Sequence, residues 1–280
     1  MNDIKTRLVA NYGGKYNFDD FVELVRVLRS PGGCPWDREQ THASIRKNFI
    51  EETYEVCEAI DTCNTELLCE ELGDVLLQVG LHTEMEREAG RFGYEDVITG
   101  LCRKLILRHP HVFGEVKADT SEEVLTNWDA IKMNTKGYTT QTQSLRSVPA
   151  VFPALMRAQK LQKKAAKVGF DWPDAEGALQ KLEEEIAELR EAVAAGQAPD
   201  IKAELGDMLF SAVNVVRKLK CDAEELLTSA SEKFVDRFEQ MEQAAISGGH
   251  ALTELGLTEM DRLWDDAKHR EGGASTAVSE

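Results

Sequence analysis

The sequence predicts an all-α protein built from two tandem, duplicated helical-bundle modules. Two patterns in its 280 residues support this prediction. No stretch alternates apolar and polar residues between hairpin turns, so we expect no β-sheet. A set of paired acids in helical segments recurs at one constant spacing in the two halves of the chain. We therefore expect an N-terminal module over residues 1–135, a linker over 136–149, a C-terminal module over 150–270 and a disordered tail over 271–280.

The N-terminal module begins with apolar residues at helical spacing. Phe18, Phe21, Val25 and Leu28 lie three or four residues apart and predict a first helix, which a Pro-Gly-Gly sequence ends. The Cys-Pro-Trp-Asp sequence that follows is expected to be a loop whose Trp36 anchors the core or a dimer contact. Helices are expected over about residues 17–30, 44–60, 66–88, 95–107 and 120–134.

The C-terminal module repeats this order. We expect a helix over about residues 152–166, then two helices that contain the paired acids, and then a long helix that begins at Asp222. The sequence Ala-Ala-Gly-Gln-Ala-Pro joins the two acidic helices, and its glycine and proline are typical of a helix end followed by a helix start. The two helices therefore form a predicted antiparallel hairpin, with a counterpart that turns at residues 61–65.

Eight acids on these hairpins form two matched sets. In each set two acids three residues apart share one helix face, and a second such pair lies on the next helix. The N-terminal quartet is Glu52, Glu55, Glu71 and Asp74, and the C-terminal quartet is Glu185, Glu188, Glu204 and Asp207. Every acid is separated from its counterpart by 133 positions, as in 185 − 52 = 133. Four convergent carboxylates repel one another, and Mg²⁺, with Mn²⁺ as a substitute, is a hard cation that relieves this repulsion.

Acidic helix faces also occur in proteins that bind no metal. The chain has 50 Asp plus Glu against 33 Lys plus Arg, and a single acid pair in such a chain is typical of a solvated face. A redox di-iron bundle uses Glu-x-x-His on two helices, and neither quartet contains histidine. The repetition of all four acids in register favours two hard-metal sites.

Basic residues one helical turn apart follow each quartet. Lys104 and Arg108 follow the N-terminal quartet, and Lys233 and Arg237 follow the C-terminal one. Beside a bound cation such residues would clamp phosphate oxygens while the metal orients water for attack on phosphorus. Taken alone, a basic pair of this kind is more typical of a solvated helix face than of a phosphate site.

The composition of the chain limits which molecules it can bind and where it can be located. The net charge of −17 argues against binding to a nucleic-acid duplex, whereas free nucleotides remain compatible because a metal can cancel phosphate charge locally. The six cysteines contain no C-x-x-C motif and are expected to be reduced thiols, mostly within the core. No run of 18 apolar residues occurs, so we expect a cytoplasmic protein that does not enter membranes.

Several blocks of sequence resemble the MazG nucleoside triphosphate pyrophosphohydrolases in their two-domain form. They are CPWD, EETYEVCEAID, EELGDVLLQV, RHPHVF, LMRAQKLQKKAAKVGFDW, EEEIAEL, ELGDMLFSAVN, EKFVDRFEQME and MDRLWDDAK, and they follow one another from about Phe18 to Arg270. The resemblance implies an all-α NTP pyrophosphatase fold. It also implies Mg²⁺-dependent hydrolysis of ribo- and deoxynucleoside triphosphates of broad base range to a monophosphate and pyrophosphate, in nucleotide-pool housecleaning.

The resemblance further implies roles for individual residues, chiefly in the C-terminal module. The C-terminal quartet would bind the metal, with Glu185 and Asp207 also at the nucleotide. The remaining predicted nucleotide-binding residues are Lys181, Lys233, Arg237 and Trp264, with Lys104 and Arg108 as N-terminal counterparts. Lys233 and Arg237 are also predicted to be catalytic. Glu184, with Glu51 as its counterpart, is a candidate for orienting the attacking water.

Some points stay open in the sequence. Trp264 either anchors the last helix in the core or stacks on a nucleotide base. Asn214 occupies the position of Leu81 in the first half, and its amide either hydrogen-bonds sugar or phosphate or is solvated. Both modules retain a quartet and a basic pair, and we expect the N-terminal site to be weaker or specialised. Small bundles of this kind often dimerise, which predicts a homodimer. The alternative function is a dimeric nucleotide sensor or scaffold without catalysis.

Overall fold

The fold was analysed in a computed structural model that describes residues 2–118, 120–121, 123–124, 127–128, 131 and 138–274. Helices account for all the regular secondary structure of these residues, and no strand occurs among them. The chain divides into two compact units, Met1–Thr135 and Lys136–Glu280. The predicted all-α fold class with tandem helical modules is confirmed.

Seven helices of the N-terminal unit have described bounds, and further helical residues occur at 121, 123–124, 127–128 and 131. The seven helices are α1 (Asn2–Ala10), α2 (Phe18–Arg29), α3 (Pro35–Glu39), α4 (Arg46–Asp61), α5 (Thr65–Glu88), α6 (Tyr94–Arg108) and α7 (Pro110–Phe113). The predicted helices near residues 17–30, 44–60, 66–88 and 95–107 are confirmed as α2, α4, α5 and α6. Most of the helix predicted over 120–134 lies outside the described residues.

The described residues of the C-terminal unit contain six α-helices and one 3₁₀ turn. They are α8 (Gln141–Arg146), α9 (Ala154–Ala166), α10 (Ala175–Ala195), α11 (Ala198–Lys218), α12 (Ala223–Ser247), the 3₁₀ turn Leu252–Glu254, and α13 (Leu257–Ala274). α8 lies within the predicted linker, and the nearby Ser144 and Val148 are buried. α13 extends into the predicted tail, whose residues 275–280 lie outside the described residues.

Short polar side chains start the helices that hold the acids. The Asn64 side chain accepts a hydrogen bond from the backbone N–H of Leu67 at the start of α5, and Asp174 accepts one from Gly177 at the start of α10. Caps of this kind contribute about 1 kcal/mol each. They hold the first turn of each helix in place and so help to set the register of the acids further along.

Both acidic hairpins turn through a residue in the left-handed backbone conformation. Gly196 ends α10 with φ 69°, and Cys63, 133 positions earlier, has φ 52° in the turn between α4 and α5. Glycine adopts this conformation without a Cβ clash, whereas a residue with a side chain is strained there. The predicted hairpins are therefore confirmed, and the N-terminal one turns at a less favourable residue.

The core of the N-terminal unit lies where α2 packs on the second half of α5. Val25, Ile45, Leu81 and Met85 form the buried cluster. Gly80 allows the two helices to approach closely, because a Cβ there would lie 2.6 Å from Cζ of Phe21. This packing leaves the first half of α5 free to pair with α4.

The expectation that the cysteines mostly fill the core is wrong. All six are free thiols, and only Cys34 is partly buried. Trp36 has 55% of its surface exposed, which excludes the core alternative for this residue. Its role as a dimer contact remains a prediction.

Candidate metal and nucleotide site

Three acids of the C-terminal quartet converge across the α10–α11 hairpin. Glu185 and Glu188 share one face of α10, and Glu204 faces them from α11. One carboxylate oxygen from each lies within 4.8 Å of the other two. Glu185 is 6% exposed, Glu204 is half-buried and Glu188 is exposed, so the group extends from a buried carboxylate to the solvent.

The N-terminal quartet repeats the arrangement. Glu52 and Glu55 of α4 and Glu71 of α5 each offer an oxygen within the same 4.8 Å limit, and Glu71 is 8% exposed. We refer to the two groups as the N-terminal trio (Glu52, Glu55, Glu71) and the C-terminal trio (Glu185, Glu188, Glu204).

The fourth acid of each quartet lies one helical turn beyond its trio. Asp207 is exposed on α11, and Asp74 is half-buried on α5. Asp74 is nevertheless close enough to raise the pKa of Glu52 by charge repulsion. Neither aspartate belongs to the three-acid groups, and their role as metal ligands remains a prediction.

Mutual repulsion and burial act on the trios. Burial raises the pKa of Glu52, and Asp74 and Glu55 raise it further. Burial, followed by Glu55 and Asp74, raises the pKa of Glu71. Both shifts favour the protonated acids, which is the response expected of carboxylates held together without a cation.

A lysine ammonium group lies beside the C-terminal trio. Lys181 Nζ lies 2.9 Å from Glu185 Oε1 and 2.9 Å from Glu184 Oε1. The hydrogen bonds to Glu185 and Glu184 raise the pKa of Lys181, which therefore stays charged. Burial raises the pKa of Glu188, and the nearby Lys181 charge opposes that rise.

The N-terminal unit has no equivalent of this lysine. The position 133 residues before Lys181 is Asn48. Lys47, the neighbouring residue, pairs instead with Glu51 at 2.7 Å, and that carboxylate is the counterpart of Glu184 rather than of Glu185. The two sites thus share their acids and differ in the charge placed beside them.

The donor set of each trio fits a hard divalent cation. Mg²⁺ binds oxygens at 2.0–2.1 Å in an octahedron, so its ligand oxygens are separated by about 3 to 4 Å. The spacing of up to 4.8 Å in the trios is slightly wider, and small side-chain rotations would close it. Carboxylate oxygens alone, without histidine or cysteine, are typical of Mg²⁺ or Mn²⁺ rather than zinc.

The predicted basic residues lie on other helices of each unit. Lys233 is exposed and Arg237 is half-buried on α12, one turn apart. In the first unit Lys104 is exposed, and the guanidinium of Arg108 lies 4.9 Å from the ring centroid of Trp128. Arg108 therefore forms a cation–π contact, which differs from the solvated side chain of the alternative interpretation.

Trp264 packs against an aromatic neighbour of the basic pair. Its ring centroid on α13 lies 5.1 Å from that of Phe234, which follows Lys233 on α12. The indole is half-buried, so part of its surface remains available to a ligand. The ring thus anchors α13 on α12, and its base-stacking role stays a prediction.

A polar network beside the hairpin was not predicted from the sequence. Asn214 is 6% exposed, and its Oδ1 accepts a hydrogen bond from Nε of Arg217 at 2.8 Å. Arg217 in turn pairs with Asp171, in the loop before α10. The interpretation of Asn214 as a solvated residue is therefore wrong. The sequence does contain a signal for this contact, because Arg217 follows Asn214 by about one helical turn.

Comparison with known proteins agrees with this geometry. A family model described as the MazG nucleotide pyrophosphohydrolase domain matches residues 40–113 and 174–241, which include both trios and both basic pairs. The nucleoside triphosphate pyrophosphohydrolase/pyrophosphatase MazG of Thermotoga maritima is 44% identical over 259 residues, covering 92% of this chain and 97% of the relative.

Two further relatives cover most of the chain. The nucleoside triphosphate pyrophosphohydrolase of Escherichia coli K12 is 41% identical over 258 residues, which are 90% of this chain and 97% of that protein. The Bacillus subtilis protein YabN is 47% identical over 259 residues, or 91% of this chain, which span 52% of its own length. Among the described residues, no helix is long and apolar enough to cross a bilayer.

Proposed function

Because the chain belongs to the MazG nucleotide pyrophosphohydrolase family, we propose that it hydrolyses nucleoside triphosphates between the α and β phosphates, releasing a nucleoside monophosphate and pyrophosphate. The main support is the C-terminal trio with Lys181 beside it, inside the second matched domain. Acidic side chains and a lysine at this spacing suit a metal-bound triphosphate.

Mg²⁺, with Mn²⁺ as a substitute, is the proposed cofactor. Glu185, Glu188 and Glu204 would hold it, with Asp207 as a fourth ligand at the same end of α11. When bound, the metal would neutralise phosphate charge and orient water for attack on phosphorus. The same donor set in the N-terminal unit is a second proposed metal site, formed by the N-terminal trio and Asp74.

Other side chains of the C-terminal unit bind and orient the substrate in this proposal. Lys233 and Arg237 donate to phosphate oxygens, and Arg237 suits a bidentate contact. Lys181 leaves Glu185 to contact a phosphate, which frees Glu184 to orient the attacking water. Trp264 stacks on the base; an indole face does not select among bases, which supports a broad range of ribo- and deoxynucleotides and a housecleaning role.

The N-terminal site is proposed to be the weaker one. Its trio lacks a neighbouring lysine because Asn48 replaces it, so a triphosphate would lose one cationic contact there. Lys104 remains exposed in this unit, whereas Arg108 is engaged with Trp128. We propose that this unit binds nucleotide with lower turnover.

A homodimer is proposed from the exposed apolar side chains of α11 and α12. Leu209 and Phe210 on α11 are 55% and 45% exposed, and Phe234 and Val235 on α12 are each 56% exposed. Side chains of this size rarely stay in water on adjacent helices, and a second copy could cover them. The six free thiols support a reducing location such as the cytoplasm.

Product analysis tests the proposed reaction. The full chain is incubated with ATP, GTP, dCTP and dUTP in Mg²⁺, and pyrophosphate is resolved from orthophosphate. Glu185→Gln and Glu52→Gln serve as a matched pair, because both remove one charge at equivalent positions without changing side-chain volume. We expect pyrophosphate release, a large loss in Glu185→Gln and a small one in Glu52→Gln.

Each other result has a defined meaning. A loss confined to Glu52→Gln would place turnover in the N-terminal unit instead. Orthophosphate and nucleoside diphosphate as products would refute the proposed bond cleavage. Nucleotide binding without turnover by any of the four substrates would support the sensor or scaffold function.

A further inference from the structure

A cavity of about 400 Å³ lies in the N-terminal unit, at the opposite end of α5 from its trio acid. Helices α1 and α2 and the last turns of α5 line it, and one side is open to solvent. Its apolar wall comes from Ile4 of α1, Val27 of α2 and Pro31. This volume is within the range of pockets that bind small molecules. The trio residue Glu71 lies more than three turns earlier on α5, so the cavity is distinct from the proposed metal site.

The carboxylates of α5 in this cavity already have partners. Glu84 is 1% exposed, and Arg87 donates to both of its oxygens at 2.8 and 2.5 Å. Glu88 accepts from Nε and Nη2 of Arg29 at 3.0 and 2.9 Å. Arg29 also donates to the backbone oxygens of Asp37 and Gln40, so this buried guanidinium makes four hydrogen bonds.

Arg26 differs from the other two arginines of the cavity. Its Nε lies 3.8 Å from Oε2 of Glu84, which is too long for a hydrogen bond. Within the described part of the chain, the Arg26 side chain forms no hydrogen bond. A guanidinium has five donors in a planar fork that matches a carboxylate. The Arg26 side chain is 47% exposed, so its donors can be reached by a ligand from solution, whereas the Glu84 and Glu88 carboxylates of α5 are already paired.

The surrounding charges limit the type of anion. Glu23, Glu84 and Glu88 all line the cavity, and they would repel the two charges of a phosphate more than the single charge of a carboxylate. The apolar wall favours a ligand with a hydrocarbon or aromatic body. We propose that this cavity is a binding site for a small monoanionic carboxylate with an apolar body, held by Arg26. The proposal is independent of the proposed function.

Benzoate is the probe, and benzamide is its neutral analogue of the same shape. Both are titrated into the full chain, with binding followed by calorimetry and by the NMR signals of the arginine Nε–H groups. Arg26→Gln removes the guanidinium, and Arg38→Gln is the matched control because Arg38 is an exposed arginine outside the cavity. Ile4→Trp keeps Arg26 and fills the cavity from α1.

We expect benzoate to bind with a Kd of about 1 mM or tighter, and benzamide at least about tenfold more weakly. Arg26→Gln and Ile4→Trp should each weaken benzoate binding by about tenfold or more, while Arg38→Gln leaves it unchanged. Thermal unfolding of the variants verifies that they are folded. The proposal is overturned if benzoate does not bind, if benzamide binds equally well, or if Arg26→Gln retains the wild-type affinity. Inorganic phosphate that binds more tightly than benzoate would overturn the stated ligand class.

Discussion

Lys181 Nζ lies 2.9 Å from Glu185 Oε1, so a lysine partly neutralises the buried acid of the C-terminal trio. The equivalent position of the N-terminal unit is Asn48. The two acidic hairpins therefore differ in the charge placed beside the first acid of the trio. We therefore expect the two sites to differ in their affinity for Mg²⁺ and in their contacts with nucleotide.

Lys181→Met should strengthen Mg²⁺ binding in the absence of nucleotide. The ammonium repels an incoming cation, and its removal leaves the three carboxylates uncompensated. An increase in affinity of about fivefold or more is expected from the loss of one charge near the site. Calorimetric titration of the nucleotide-free protein with Mg²⁺ measures it. Turnover should fall in the same variant, because the proposed phosphate contact is lost.

Asn48→Lys is the complementary test. It introduces the ammonium beside the N-terminal trio, and Mg²⁺ affinity at that site should decrease. Equal Mg²⁺ affinities in wild type and both variants would show that the position-181 charge does not act on the metal site.

Cys63→Gly should stabilise the N-terminal unit. Cys63 has φ 52°, where a Cβ costs about 1–2 kcal/mol and glycine is unstrained. We expect the free energy of unfolding to rise by about 1 kcal/mol, measured by urea denaturation. Cys63→Ala retains the Cβ and should show little gain, so a similar effect in both variants would assign the gain to loss of the thiol. Gly196→Ala should lower stability by a comparable amount.

Acid should destabilise the contact between the loop before α4 and the end of α5. His42 Nδ1 lies 2.6 Å from His82 Nδ1, and His42 Nε2 lies 2.6 Å from Oε1 of Glu86. Burial, followed by the nearby His42, lowers the pKa of His82. The hydrogen bond from Arg91 is the main cause that lowers the pKa of Glu86 to about 2, although burial opposes it.

The sign of the pH dependence follows from these two shifts. Below about pH 6.5 the unfolded chain binds more protons at residue 82 than the folded chain, so stability falls as the pH decreases toward the folded pKa of His82. Glu86 adds a second loss below about pH 4.3, completed as the pH falls through about 2. Thermal unfolding between pH 7.5 and pH 5, about the range of histidine titration, measures the first loss. His82→Phe should flatten this slope; an unchanged slope would assign it to other groups.

Asn214→Leu should loosen the loop before α10. The substitution installs the residue found at the equivalent position 81 and removes the acceptor for Arg217 Nε. A buried donor left without its partner costs about 1–3 kcal/mol, and the pairing of Arg217 with Asp171 should weaken with it. Urea denaturation measures the stability, and hydrogen exchange at residues 169–173 measures the loop. Asn214→Asp keeps an acceptor and should be milder.

The helices and the acids were predictable because their signals are local. A spacing of three or four residues identifies α2, α4, α5 and α6, and one offset of 133 identifies the paired acids. The convergence of Glu204 on Glu185 also follows from a hairpin whose glycine and proline are visible in the sequence.

The remaining features depend on contacts between distant residues. The short helix α1 has little apolar periodicity, and it docks through Arg7, which pairs with Asp20 and Glu23 of α2. The pairing of Lys181 with Glu185 rather than with solvent depends on side-chain direction, which spacing alone does not determine. The Arg217–Asp171 pair spans 46 residues and has no local pattern at all.

Because the turn at Gly196 is tight, the length of the loop between α10 and α11 determines whether the acids of the two helices converge. One residue inserted after it would rotate α11 by about 100° relative to α10 if the helix stayed in place, since an α-helix has 3.6 residues per turn. Glu204 would then point away from Glu185 although every acid was still present. A homologue with an altered turn could thus lose the proposed metal site while it retains all four acids, so the length of the turn must be compared along with the acids themselves.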